Sequence, residues 1–510
     1  MDALIALLPI LVVLGLMLFA RWPAVRAGAA ALLLAVVVVF AVFPFETIDT
    51  GIAGGLIGSL AEAAFTSATI LWIILPALAI YNLQNETDAV ESIRSGLTEL
   101  SRDPRLTALV VAWFFSLLLE GAAGFGTSAA LAAPFLVALG MTPVRAVTAA
   151  MIGHLVGVTF GAVGTPVVPM VAASGLEPVD ISSSIAVQAA LVGWSVPIVV
   201  VYMIGRSYPD ERPQRSRTSW LLGFVTAGLF FVPYLAMALL VGPELPTLAG
   251  AIVGGAIFAF ALRSRTAATE TSESADASEP AGTMSLGRAM APYLFLVALV
   301  LVTRLVPSLN DALEEVTVSW EAVDGTFGGS FAPLFHPGTL LFVALAAGAL
   351  VQGASAIQVR SAITDSARTL VPVAAALVAM LGLARIMVHS GMVDEIAEAA
   401  ADSVGGAWPL LAPAVGALGT FVTGSATASN ALFSDLQIGT ATQVGDPVDV
   451  TLGAQGFGAA LGNAIAPHNL LAAAAIVGLG GRESDILRRT LPVALPLIVA
   501  AGVLALVLAN

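Results

Sequence analysis

Apolar runs of about 20 residues recur along the chain between short polar stretches, the length at which a helix crosses hydrocarbon. Within them apolar positions do not alternate in period two, which argues against a membrane β-barrel. Two runs are broken in the middle. The first break is Leu119-Glu120-Gly121-Ala122-Ala123-Gly124-Phe125-Gly126-Thr127, which sets a carboxylate and three glycines in an apolar segment. The flanking runs, 106–119 and 128–139, each look too short to cross a bilayer alone. A second break is Thr423-Gly424-Ser425-Ala426-Thr427-Ala428-Ser429-Asn430. Backbone groups freed by such breaks find no partner in lipid, so they are tolerated only inside protein or against a wet cavity. Paired breaks at corresponding places in two halves point to a transporter's binding site.

Arginines orient the spans. Arg21 and Arg26 after the first span predict a cytoplasmic loop, hence an external N-terminus. Residues 1–20 lack a basic start and a convincing cleavage site, so they read as a retained helix rather than a signal peptide. Arg94, Arg102 and Arg105 precede the first break and Arg145 follows it, which predicts a re-entrant hairpin, 106–139, entering from the cytoplasm. The second hairpin, 410–440, has acidic flanks (Asp402; Asp446 and Asp449) and is expected to enter from outside. Each tip is followed about 40 residues later by another break, as an inverted repeat requires. These are Gly161-Ala162-Val163-Gly164-Thr165-Pro166 and Gly462-Asn463-Ala464-Ile465-Ala466-Pro467-His468-Asn469. The expected architecture is an all-α polytopic membrane protein with about twelve spans and two hairpins. One half covers 1–262 and the other 289–510, joined by a polar cytoplasmic linker, 263–288, whose composition reads as disordered. The acidic stretch containing Asp311, Glu314, Glu315, Glu321 and Asp324 is expected as an external loop, and the C-terminus as external.

Composition agrees: of 510 residues 58% are hydrophobic and 11% charged. There is no cysteine, which excludes disulfides and thiolate metal sites, and every one of the 20 cationic residues is arginine. The net charge of -14 suits a high-salt or otherwise extreme habitat and says nothing about substrate charge.

The motifs resemble the lactate permease family, over most of the chain and in consistent order. The resemblance rests on Glu120 to Thr127, Gly161 to Pro166, the string from Thr423 to Gln437, and Val477-Gly-Leu-Gly-Gly-Arg-Glu-Ser-Asp485. It implies plasma-membrane import of L-lactate, D-lactate or glycolate coupled to protons, by an elevator movement of the two hairpins. The chain departs from the family's usual residues at Ser128 (often Pro), His154 (often Asn), Ala426 (often Asp or Asn), Asn463 (often Lys) and His468 (often Gln). With no cation at 463, His468 is a candidate replacement.

A small hydroxy acid needs donors for its carboxylate and a donor-acceptor for its hydroxyl. Gly124, Phe125, Gly126 and Thr127 offer backbone amides at a tip, where helix N-termini add positive potential. Ser425, Thr427, Ser429 and Asn430 offer hydroxyls and an amide opposite, with Thr165, Asn463 and His468 at the adjoining breaks. Packing through small residues is the alternative reading of both tips. Glu120 is the leading proton carrier, against the alternative that it pairs with Arg102 or Arg105. His154 and Asp435 are further coupling candidates, since imidazole titrates near neutrality. Arg385, intramembrane toward the outer side, is a candidate anion contact, whereas Arg304 snorkels and His336 and His389 read as interfacial.

No cofactor or metal is expected; the coupling ion is the proton, with sodium as the alternative. Expected partners are a small monocarboxylate and the bilayer, with a homodimer left open and no nucleic acid. The nearest rival is a sodium-coupled mono- or dicarboxylate transporter on the same architecture. An intramembrane enzyme lacks support, because no HExxH or GxGD occurs and Ser425 and Ser429 have no histidine nearby in sequence. A channel is disfavoured, because paired inverted breaks suit alternating access better than a continuous pore.

Overall fold

The computed structural model describes residues 2–20, 22–45, 51–98, 103–124, 127–208, 216–269, 284–479 and 482–510. The fold is helical apart from one short β-ribbon. Among the described residues eight helices are long and apolar enough to cross a membrane, or ten when two bent pairs each count as one span. Asp2–Met17, Val25–Ala41 and Pro337–Gln352 are shorter apolar helices. The centre of the linker, 270–283, lies outside the described residues.

Two helices form the spine. Gly51–Glu86 (36 residues) packs along Ala356–His389 (34 residues), so the two halves of the sequence interlock. The second helix starts at a capping box: the Ser355 hydroxyl accepts from the Gln358 amide while the Gln358 side chain accepts from the Ser355 amide. That pairing satisfies two donors otherwise orphaned at a helix start.

In both interrupted segments the helices on either side of the break pack together as the two arms of a hairpin. The first arm of the first hairpin, Pro104–Ala123, is 20 residues long, longer than expected because it begins at an Asp103–Pro104 cap upstream of the purely apolar run. Asp103 accepts from the Arg105 amide, and proline at the first helical position forfeits only a donor that has no partner there. Within this arm Val110–Phe115 is π-helical, and the Ser116 hydroxyl donates to the Val111 carbonyl at 3.0 Å. The second arm is Thr127–Ala138.

The second hairpin joins Trp408–Thr423 to Ala426–Val444. A file of buried amides ties its arms to the following helix, Val448–Asn463. Trp408 Nε1 donates to Gln437 Oε1 (2.8 Å), Gln437 Nε2 to Gln455 Oε1 (2.8 Å), and Gln455 Nε2 to Asn430 Oδ1 (3.3 Å). Each amide oxygen in the file thus finds a donor, which keeps polar side chains affordable away from water.

The acidic stretch after residue 306 is more ordered than a loop. Pro307–Glu314 is a helix, and Val318–Ala322 pairs antiparallel with Phe327–Phe331, Val318 opposite Phe331. Val323, Asp324 and Gly325 turn the ribbon with positive φ, as an Asp-Gly hairpin turn requires. The ribbon caps the spine: the Gly328 amide donates to Glu62 Oε1 at 2.9 Å, and buried Phe327 sits on His389.

We predict that Gln455→Leu destabilises the protein by about 1–3 kcal/mol, because it strands the buried Asn430 acceptor, while Gln437 Nε2 loses one of two acceptors and keeps the Ala412 carbonyl. Thermal unfolding in detergent checks this; a melting temperature equal to that of the parent would refute the amide file.

Candidate functional site

The first arm ends at Gly124 with φ 60° and ψ -152°, a conformation open essentially to glycine alone. A Cβ there would lie 2.9 Å from the Ala162 Cβ and 3.1 Å from the Ala162 amide nitrogen, so the first tip presses directly on the first break. At that break Ala162 (φ 43°, ψ 55°), Val163 (φ 57°, ψ 46°) and Gly164 (φ 80°) are consecutive left-handed residues. For alanine and for β-branched valine this costs about 1–3 kcal/mol each, and it persists only where packing holds it.

Glu120 lies in the last turn of the first arm, 2% exposed. Its Oε2 accepts from the Ser128 hydroxyl on the second arm at 2.7 Å. Its Oε1 lies over Gly161, where a Cβ would approach to 2.7 Å. The carboxyl therefore bridges the two arms and leans on the break.

The second tip is built differently. Trp408–Thr423 stops at Gly424 (φ 74°), and Ser425 caps the next helix by accepting from the Ala428 amide at 3.3 Å. The Ser425 amide in turn donates to Thr423 Oγ1 at 3.2 Å.

The tips and breaks enclose a cavity of about 30 Å³. Glu120, Gly124, Thr165, Ser425, Thr427 and Asn463, all candidates from the sequence, line it. Val158, Gly161, Ala162, Pro166, Gly424 and Ala426 complete it and were not anticipated as lining residues. Among the described residues none that lines it is basic; hydroxyls, amides and one acid face the space.

His154, 1% exposed, stands behind Asn463. Its Nδ1 meets the Ala150 carbonyl at 2.7 Å, and a carbonyl only accepts, so this nitrogen carries a proton. Its Nε2 meets the Asn463 side-chain amide at 3.2 Å. A neutral ring accepts there from the amide NH₂; a protonated ring donates to the amide oxygen, and the amide can turn to suit either.

Asparagines stitch the tips to the breaks. Asn430 Nδ2 donates to the Pro166 carbonyl at 2.8 Å, tying the second hairpin to the first break. Asn469 Nδ2 lies 3.3 Å from the Gly424 carbonyl and 3.4 Å from the Asn463 carbonyl, tying the second break to the second tip. Asn469 is not among the sequence candidates, although it adjoins His468 in the motif.

Four expected site residues sit elsewhere. Ser429 and Asn430 do not line the cavity: the Ser429 hydroxyl donates to the Gly416 carbonyl at 2.8 Å and Asn430 is committed to Pro166. Arg385 and Asp435 do not line it either; Arg385 Nη1 pairs with Asp435 Oδ1 at 3.8 Å and its Nη2 donates to the Ala172 carbonyl at 3.2 Å. The reason is local: each finds a partner on a neighbouring element before it reaches the tips. His389, expected at an interface, pairs with Glu62 at 2.7 Å. Phe125, Gly126 and Arg102 lie outside the described residues, as do the side chains of Thr127, His468 and Arg304.

Broken helices meeting end to end around a buried carboxyl and a ring of hydroxyls define a polytopic helical membrane transporter. The chain belongs to the L-lactate permease family, which matches residues 2–331 and 321–510. It is similar to an L-lactate permease of Streptococcus iniae, 30% identical over 75% of this chain and 80% of that protein. It is likewise similar to the glycolate permease GlcA of Escherichia coli strain K12, 29% identical over 99% of this chain and 95% of that one. Among solved structures it resembles Neisseria gonorrhoeae MtrF, described with a class of antimetabolite efflux pumps, at TM-score 0.52 and 16% identity, covering 97% of this chain and 96% of that one. At that identity the likeness concerns the fold alone. The relatives are permeases, so the chain is a transporter and not an enzyme.

Gly124→Ala is expected to lower the melting temperature by several degrees, since it forces a strained backbone and collides with Ala162. Adding Ala162→Gly removes the colliding Cβ and should recover part of the loss. A Gly124→Ala protein that melts like the parent would show that the tip and the break do not touch.

Proposed function

We propose that the protein imports lactate or glycolate across the plasma membrane by proton symport. The observation that carries this reading is the acid in the cavity: Glu120 shares a buried space with the Ser425 and Thr427 hydroxyls and the Asn463 amide. A substrate carboxylate can be bound there by the Ser425 and Thr427 hydroxyls, with its own hydroxyl toward Asn463. An anion so close to Glu120 meets a like charge at low dielectric, a repulsion of several kcal/mol. A proton on Glu120 removes it. Substrate and proton therefore enter together or not at all, which is the definition of symport. The names of the relatives, L-lactate permease and glycolate permease, support the substrate class.

The membrane potential acts in the same direction. An anion entering against 100 mV costs about 2.3 kcal/mol, which an accompanying proton cancels.

The present cavity has room for a water-sized group. A three-carbon acid fits there only when the tips draw apart. The architecture behind this reading has about twelve spans, termini outside, and two hairpins entering from opposite faces as an inverted repeat. The hairpins and the two breaks form the moving unit, carried along the spine of long helices as an elevator.

Uptake of labelled lactate into proteoliposomes tests the reading, with glycolate, pyruvate and succinate as competitors and with a proton or a sodium gradient imposed alone. We expect uptake on the proton gradient, competition by glycolate and weak competition by succinate. Glu120→Gln should abolish coupling to the proton gradient, and Thr427→Val should raise KM about tenfold through loss of one hydrogen bond to a charged group. Uptake driven by sodium alone would replace the proton with sodium, and normal proton-driven uptake by Glu120→Gln would remove this residue from the mechanism.

A further inference from the structure

A second charged cluster lies away from the cavity. Glu62 on the first spine helix pairs with His389 on the other, His389 Nε2 to Glu62 Oε2 at 2.7 Å. Arg385, one turn before His389, pairs with Asp435 on the second arm of the second hairpin. All four side chains are only 11–16% exposed. The cluster joins the spine to the hairpin, the two parts that the proposed mechanism moves against each other.

Its charges do not balance. Two carboxylates face one guanidinium and one imidazole, so with the ring neutral the group carries a net negative charge. In so shielded a place an unbalanced charge is expensive, and one proton on the ring removes it. The pairing fixes where that proton goes. Nε2 already faces a carboxylate, so the ring donates there in either state, and the added proton takes Nδ1.

The ring also has a route to water. His389 lines a polar cavity of about 690 Å³, together with Asp2, Asp394, Glu395, Glu398 and Gln443. Such acidic walls attract cations, protons among them. The arginine pattern assigns this face to the outside. From the ribbon His389 receives the Phe327 ring at 4.6 Å, while Glu321 and Asp324 are on the exposed side.

We propose that Glu62, His389, Arg385 and Asp435 form a second proton-binding site, separate from Glu120, whose occupancy fastens the second hairpin to the spine. With the proton bound the cluster is neutral and Asp435 stays against Arg385. Without it, surplus negative charge is shared between Glu62 and Asp435, and the 3.8 Å contact, already long, is the one that yields. Acid outside thus holds the hairpin docked. The inference rests on the hairpin movement proposed above, though not on the identity of the substrate.

The chain has no native cysteine, so two introduced ones are its only labelling sites. Phe43 and Gln443 both line the polar cavity, Gln443 on the hairpin's second arm. Phe43 follows the helix Ala24–Ala41, which packs on the spine helix Ala356–His389, so spin labels on Phe43→Cys and Gln443→Cys in liposomes report the separation of hairpin and spine by pulsed EPR, without any substrate. We expect a short, narrow distance distribution at pH 5 and one longer by about 1–2 Å or more at pH 8. His389→Gln cannot take the proton and should show the long distance at both pH values. Glu62→Gln removes the surplus charge and should show the short distance at both. These opposite outcomes separate the proposal from simple misfolding, which would drive both variants the same way. A distance that ignores pH in the parent, a pH shift that survives in His389→Gln, or the same distance in both variants would overturn it. Failure of lactate uptake in the parent protein would sink the substrate reading and leave this measurement untouched.

Discussion

A backbone amide or carbonyl in hydrocarbon has no water to bond, so each helix break in this protein has to be answered by another part of the chain. The four breaks answer one another. Gly124 packs on Ala162, Asn430 reaches the Pro166 carbonyl, and Asn469 spans Gly424 and Asn463. No single hairpin or broken helix would be stable in lipid alone. The same need that draws the breaks together leaves a polar pocket between them, so the solution to a folding problem is also the chemical site.

The amide file of the second hairpin extends this logic. Trp408, Gln437, Gln455 and Asn430 link arm to arm and then, through Asn430, link the hairpin to the first half of the chain. Polar side chains that would be a liability in lipid become a rigid strut when every one is paired. Among the described residues the first hairpin shows no such strut. Its arms are joined near the tip by Glu120 and Ser128, so the group read as the proton carrier is also a structural tie. Loading or unloading a proton there changes how the arms are held as well as the charge of the pocket.

Much of this was legible in the sequence because breaks in apolar runs are loud. Glu120, Gly124, Ser425 and Thr427 announce themselves as polar or flexible residues where neither belongs. What stayed hidden were partners set by long-range packing. His154 and Asn463 are 309 positions apart, and Asn430 and Pro166 are 264 apart. No local pattern links them. Arg385 and Asp435 were visible as charges in lipid, but a charge does not reveal which neighbour claims it. The ribbon at 318–331 carried a signal that was passed over: Val-Asp-Gly between runs rich in aromatic and small residues is hairpin chemistry, masked by its acidic surroundings.

The π-helical segment Val110–Phe115 has a consequence of its own. Such a turn is what an α-helix becomes when one residue is inserted without disturbing the faces above and below. The first arm can therefore gain or lose a single residue at that depth while Asp103 still caps its start and Glu120 still faces Ser128. Evolution could tune how deep the acid sits, one helical rise at a time, without rebuilding the hairpin.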